Sequence, residues 1–165
     1  MIYAYIDTNV IIASEIRTER NHQESKEFMD RVLASKKREV SYVVSVFAFL
    51  ELASAMIRRT GNPDKAYSLL YRIRTSWKKS LKPVLPLRSK ELASFTNLMD
   101  TLIETAITLR TPTADTIHAQ TIMRYDFDYL VTWNKRHFTG LSKAVKKLKI
   151  ITPIEMLVEL KRIGV

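Results

Sequence analysis

The sequence predicts an α/β domain built on a mainly parallel sheet with right-handed crossovers, and three observations carry that prediction. Short apolar runs alternate with helical patterns along the chain. No β-hairpin signal joins any two of those runs. The first run is apolar enough to be a strand covered on both faces, as parallel strands are. The length of 165 residues suits one domain, 1–165. A hydrophobic share of 46% and a mean hydropathy of −0.11 are those of an ordinary globular chain.

Ile2–Ile6 reads as the first strand and stops at Asp7. A polar stretch, Glu15 to Glu24, leads into a helix with Phe28, Val32 and Leu33 on one stripe. Glu39–Ser45 is β-branched and aromatic, a second strand, and Ser45 is placed to N-cap a helix from Val46 to Arg59. That helix is apolar on every face, so it is expected to be buried. Gly61-Asn62-Pro63-Asp64 breaks the chain. The next helix turns Ala66, Leu69, Leu70, Ile73 and Trp77 inward, and Lys65, Arg72 and Lys79 outward. Pro83–Leu87 is a third strand, assigned to a sheet edge by its two prolines. A long helical pattern covers Ser89 to Thr108, and Thr113 is placed to cap a helix reaching Tyr125. Tyr129–Thr132 and Lys149–Thr152 are the fourth and fifth strands, and Pro153 opens a terminal helix.

The formal charge of +10 is unevenly spread. Residues 58–90 carry ten basic side chains and one acidic, and residues 129–165 carry eight and two. Between them, residues 91–128 carry two and six. The first basic segment also holds Tyr67, Tyr71 and Trp77. Cations near aromatic rings suit a single-stranded nucleic acid, through counterion release and base stacking. A solvated helix face with Trp77 in the core explains the same pattern.

Several function classes are excluded. The absence of cysteine removes a disulfide framework, a Cys–zinc site and a thiol nucleophile. No phosphate-binding Gly-x-x-x-x-Gly-Lys-Ser/Thr loop exists, and three glycines cannot supply a dinucleotide fingerprint. Asp7-Thr8-Asn9 lacks the second aspartate of haloacid-dehalogenase-type phosphatases. No charged leader precedes Asp7, so a cytoplasmic location is expected. Val40–Ile57 tempts a membrane reading, but it contains Glu51 and three serines. A mid-helix carboxylate costs roughly 2.5–3.5 kcal/mol even on lenient insertion scales, so a strand and a helix explain the run better.

In open α/β sheets, ligands bind beyond the carboxyl ends of the strands. Asp7 stands at one such end, where helix capping is its plain structural role. Glu51 lies in an apolar helix. A buried carboxylate costs several kcal/mol unless paired, so it should face a cation, a basic side chain or a water-filled cleft. Asp115 falls in a first helical turn, where the helix dipole already favours it. His118 shares its face at i+3, either packing and hydrogen-bonding or forming an Asp/His metal pair. Together the acids fit one chemistry: carboxylates around Mg²⁺ or Mn²⁺, acting on a phosphodiester.

The order of these residues resembles the PIN-domain ribonucleases, particularly the VapC-type toxins of toxin–antitoxin pairs. The likeness rests on Tyr5-Ile-Asp7-Thr8-Asn9, Ser45-Val-Phe-Ala-Phe-Leu-Glu51, Thr113-Ala-Asp115-Thr-Ile-His-Ala119 and Leu130-Val-Thr132-Trp-Asn134-Lys-Arg-His-Phe138. It implies a three-layer α/β/α sandwich with a five-stranded sheet in the order 3-2-1-4-5. It also implies Mg²⁺- or Mn²⁺-dependent endoribonuclease activity, often in a homodimer, with an antitoxin as a further partner. Metal-binding roles carry over to Asp7, Glu51 and Asp115, with Thr132 hydrogen-bonding within the site. Arg58, Arg59, Lys135 and Arg136 are the expected RNA contacts. One departure stands out: Asn134 occupies a position where most members have aspartate, which offers a carbonyl oxygen but no charge. Asp128 is expected at the start of its strand, too far from the cleft to replace it. The alternative is therefore a catalytically weak or inactive RNA-binding module on the same fold. A phosphoacceptor domain is a third reading, weakened by the missing acidic partner of Asp7 and by Pro153 after the last strand.

Overall fold

The computed structural model describes residues 1–35, 39–77, 80–85 and 95–164. Strands β1 (Ile2–Ile6), β2 (Val40–Ser45), β3 (Leu81–Val84), β4 (Tyr129–Val131) and β5 (Lys149–Ile151) pair in the order β3-β2-β1-β4-β5. Every neighbouring pair is parallel. The helices are α1 (Thr8–Glu15), α2 (His22–Ala34), α3 (Ala48–Thr60), α4 (Pro63–Ser76), α5 (Phe95–Leu109), α6 (Thr113–Arg124), α7 (Thr139–Ala144) and α8 (Pro153–Arg162). A 3₁₀ turn, Lys135–Phe138, precedes α7.

Side-chain alternation along the strands makes three layers. Ala4 and Ile6, Tyr42 and Val44, and Tyr129 and Val131 point to one face, where Val10, Phe28, Leu52, Ile73 and Met156 of five helices meet them. Tyr5, Val43 and Leu130 point to the other face, against Leu109, Ala119, Ile122 and Leu141. This is the expected α/β/α sandwich. Burying each large apolar side chain contributes roughly 1.5–3 kcal/mol, which is why the central strand β1 is apolar on both faces.

The connections follow from their sequences. Gly61 ends α3 in the left-handed region at φ 62°, which a side chain would disfavour. Asn62 then caps α4, its side-chain carbonyl accepting from the Asp64 and Lys65 N–H groups, with Pro63 in the first turn. At Gly140 a β-carbon would lie 2.4 Å from the Leu109 carbonyl oxygen, so α7 can rest on the end of α5 only without a side chain there. Thr152 and Glu155 form a reciprocal capping box at the start of α8.

Three expectations need correction. Ser45 is the last residue of β2 rather than a helix cap, because Val46 extends the ladder by donating to the Val84 carbonyl at 2.9 Å. Its hydroxyl instead accepts from the Phe47 N–H in the turn, and α3 begins at Ala48. The cap of α6 is Pro112, whose carbonyl accepts the first helical bond from Thr116, and Thr113 opens the helix. Finally, α3 is buried on one side only: Ala48, Leu52 and Ala55 face inward, while Leu50 is 66% exposed. An outer-layer helix has one face on the sheet, whatever its composition.

Trp77 belongs to the core, and Tyr67 and Tyr71 are exposed. The third strand begins two residues earlier than expected and does lie at the sheet edge. Residues 86 and 87 of the expected strand, residues 89–94 of the expected helix, and Lys78, Lys79, Arg88 and Lys90 lie outside the described residues. No described helix is long and apolar enough to cross a membrane.

Candidate functional site

Strand register brings the site together. Tyr5 pairs with Leu130 and Ile6 with Val131, so Asp7 and Thr132 leave the sheet side by side. The Asp7 N–H continues the ladder to the Val131 carbonyl at 3.0 Å. Beyond these strand ends lies a cleft of about 450 Å³ lined by Asp7, Glu51, Asp115, Asn134, Thr8 and Arg58, with other residues. The four expected acid or amide positions therefore share one cavity.

Asp7 is only 3% exposed. It occupies the cap position of α1 but makes no side-chain capping bond. Its Oδ2 accepts instead from the Thr132 hydroxyl at 2.6 Å and from the Asn9 amide at 2.7 Å. Asn9 also donates to the Thr132 oxygen, and its own carbonyl receives the Trp133 N–H. Hydrogen bonds to a charged group contribute about 1.5–3 kcal/mol each, while burying a carboxylate costs several kcal/mol. Burial wins. It raises the Asp7 pKa despite His118 and Thr132, and the charges of Asp115 and Glu51 add to the rise.

Glu51 does not meet an arginine. Its Oε2 accepts from the Thr8 hydroxyl at 2.5 Å and lies 2.8 Å from His118 Nε2. Burial would raise its pKa, but the His118 hydrogen bond and charge, with Thr8, outweigh burial and hold it below the usual range. His118 is buried, and burial by itself would lower its pKa. The Glu51 hydrogen bond and the charges of Asp7, Glu51 and Asp115 raise it instead. Asp115 lies at the start of α6, where its Oδ2 is 2.8 Å from His137 Nδ1.

Asn134 is exposed at the cleft, and its backbone N–H donates to the Thr132 oxygen at 2.9 Å. Thr132 thus serves Asp7, Asn9 and Asn134 at once. Arg58 reaches the cleft wall and donates to Ser54 at 2.6 Å. Arg59 is paired with Glu19 at 2.8 Å, and Lys135 with Glu155 at 2.7 Å. Arg136 is exposed in the 3₁₀ turn. Asp128 sits at the opposite end of the sheet, accepting the Tyr3 N–H at 2.8 Å, as its position at the strand start implied.

Sequence reasoning missed Thr8, Asn9 and His137 as partners of the acids, and Tyr5 as the partner of His118. Thr8 and Asn9 directly follow Asp7, so adjacency was an available signal. His137 and Tyr5 carried none.

The donor set suits Mg²⁺ or Mn²⁺ in kind, because Asp7, Glu51, Asp115 and Asn134 all present oxygen. Each carboxylate also has just one oxygen in its closest hydrogen bonds: Oδ2 of Asp7, Oε2 of Glu51 and Oδ2 of Asp115. As they stand, however, no three Asp, Glu or His side chains among the described residues are grouped so that they could hold one ion.

No protein-family model and no curated protein matches the chain. Among solved structures, a chain of the 2.2 Å structure of VapBC-1 from nontypeable Haemophilus influenzae shares the fold. It aligns with a TM-score of 0.55 over 93% of this chain and 99% of its own, at 16% sequence identity.

Proposed function

We propose that this chain is a metal-dependent endoribonuclease that hydrolyses RNA phosphodiester bonds in the strand-end cleft. The observation that carries the reading is the shared cavity of Asp7, Glu51, Asp115 and Asn134, four oxygen donors drawn from segments far apart in sequence. The motif resemblance to VapC-type PIN ribonucleases and the fold shared with a VapBC-1 chain support it. Asp7, Glu51 and Asp115 would hold Mg²⁺ or Mn²⁺ once drawn closer together than they stand here, with Asn134 as a neutral fourth donor. When bound, the ion would supply charge neutralisation at the scissile phosphate and a water of lowered pKa.

The protein's own part is orientation. Thr132 and Asn9 fix one oxygen of Asp7, and Thr8 and His118 fix one oxygen of Glu51. Burial raises the pKa of Asp7 and leaves its charge under-compensated, so a divalent cation has an electrostatic reason to enter. Arg58 at the cleft wall is positioned to meet a flanking phosphate. Arg59, Lys135 and Arg136 are proposed as weaker contacts further out. A toxin role, a cognate antitoxin, a homodimeric assembly and a cytoplasmic site of action belong to the same proposal, resting on the resemblance.

The competing reading, an RNA-binding module without cleavage, draws on Asn134 and on the protein donors that already satisfy each acid. Asp7→Asn separates the two. Under the nuclease reading, Mn²⁺-stimulated cutting of single-stranded or hairpin RNA falls to background while the melting temperature stays near that of the parent. Equal cutting by parent and variant would falsify the site assignment.

A further inference from the structure

Two buried side chains behind the cleft are joined to each other, and only one of them touches an acid. Tyr5 is 0% exposed and His118 is 1% exposed. They are 113 residues apart, yet the Tyr5 hydroxyl is 2.6 Å from His118 Nδ1. Their rings meet edge to face, with centroids 5.9 Å apart. The opposite ring nitrogen, Nε2, is 2.8 Å from Glu51 Oε2 and 3.9 Å from Asp7 Oδ1. The imidazole is therefore held at its back edge by a phenol and presents its front edge to two carboxylates.

We propose that His118, pinned by Tyr5, is a positioning residue that sets the direction of the Glu51 carboxylate and its spacing from Asp7. The proposal rests on the nuclease reading above for its consequence, though not for its geometry. An ionised carboxylate only accepts hydrogen bonds, so the contact at Glu51 Oε2 requires a proton on Nε2. The phenol at Nδ1 completes the other edge and prevents the ring from flipping. Thr8 braces the same oxygen from a third direction, 3.3 Å from Nε2. Glu51 Oε2 is thus committed to the protein, and Oε1 is the atom left to serve the cleft. Groups that orient metal-binding carboxylates in this way act through the ligand rather than touching substrate.

Four full-length proteins test this: the parent, Tyr5→Phe, His118→Gln and His118→Leu. Gln can place an amide N–H close to where Nε2–H stood, whereas Leu keeps bulk but donates nothing. His118→Leu is expected to weaken Mn²⁺ binding roughly 10–100-fold, the range typical of lost outer-sphere partners, with kcat reduced and KM for RNA unchanged. His118→Gln should recover most of that loss. Tyr5→Phe should weaken Mn²⁺ binding about fivefold, as expected for one ordinary hydrogen bond. Independently of metal, ¹⁵N spectra of the imidazoles should show a proton on Nε2 of His118, and its Nδ1 signal should move in Tyr5→Phe.

A folded His118→Leu protein with parental Mn²⁺ affinity would overturn the proposal. Equal losses in Gln and Leu, or a His118 without a proton on Nε2, would do the same. If His118→Leu does not fold, Tyr5→Phe and the ¹⁵N spectrum of the parent decide. Asp7→Asn in the same assays keeps the two readings apart. An inactive Asp7→Asn with a parental His118→Leu removes only the positioning role. A fully active Asp7→Asn removes the assignment of the cleft as the cutting site, while a parent that binds no Mn²⁺ removes both readings.

Discussion

The cleft and the basic flank treat their charges in opposite ways. In the cleft, Asp7 meets a hydroxyl and an amide, and Glu51 meets a hydroxyl and an imidazole. On the flank, Arg59 meets Glu19, Arg72 meets Glu15, and Lys135 meets Glu155. Lys147, Lys149 and Arg162 likewise have acidic partners in Asp126 and Glu159. Asp7 is oriented by neutral donors and stays electrostatically hungry, while the His118 charge already steadies Glu51. Many of the bases are already neutralised by neighbouring side chains. A formal charge of +10 thus overstates the charge available to a polyanion, while a small set of acids exerts more force than its number suggests.

The largest test of this contrast is Thr132→Val, which removes a donor from Asp7 without changing shape. Losing a hydrogen bond to a buried charge should cost about 1.5–3 kcal/mol of stability at neutral pH, readable in a urea midpoint. It should also raise the Asp7 pKa further. Because that pKa is already raised in the fold, Asp7 weakens the protein as pH climbs through it, so the deficit should shrink on acidification. A deficit that persists after Asp7 is protonated would mean that Thr132 matters through its bonds from Asn9 and Asn134 or its packing rather than through the Asp7 charge.

A middle-sized effect is expected from the arginines. Arg58→Ala should weaken RNA binding and lower the salt-dependence slope by about one unit, the signature of one lost phosphate contact. Arg59→Ala and Lys135→Ala should each change that slope by clearly less, since their partners already hold them. Equal slopes for all three variants would erase the distinction between free and committed cations.

The smallest effect concerns Glu159, whose pKa is held down to about 2 by hydrogen bonds from Arg162 and Tyr129. A depressed carboxyl contributes stability above its unfolded value of 4.5 and loses it as pH falls through about 2. The stability difference between parent and Glu159→Gln should therefore be full at neutral pH and vanish toward pH 2. Asp7 shifts the other way, so acid should relieve the cleft while loosening the flank.

Much of this was legible in the sequence. Strand-end position exposed Asp7, and the cost of a carboxylate in an apolar helix exposed Glu51. The turn residues around Gly61 and Pro63 marked both helix ends. What stayed hidden depends on register between distant segments. Nothing near Tyr5 announces a partner 113 residues away, and nothing near Arg72 announces Glu15. The apolar composition of α3 misled because it records only that a helix has a core face, not how many other faces are covered.

The central place of β1 has a consequence in time. Its partners on the site side are β4 and the residue after it, and the Asp7–Thr132 contact spans 125 positions. At roughly 5–20 residues per second, translation needs about 6–25 seconds to travel between those two residues. Throughout that interval, Asp7 exists without Thr132, and one edge of β1 has no strand to pair with. The cleft is complete only after synthesis has passed Asn134, so a chain truncated before residue 129 would carry Asp7, Glu51 and Asp115 and still lack the strand that brings Thr132 beside Asp7.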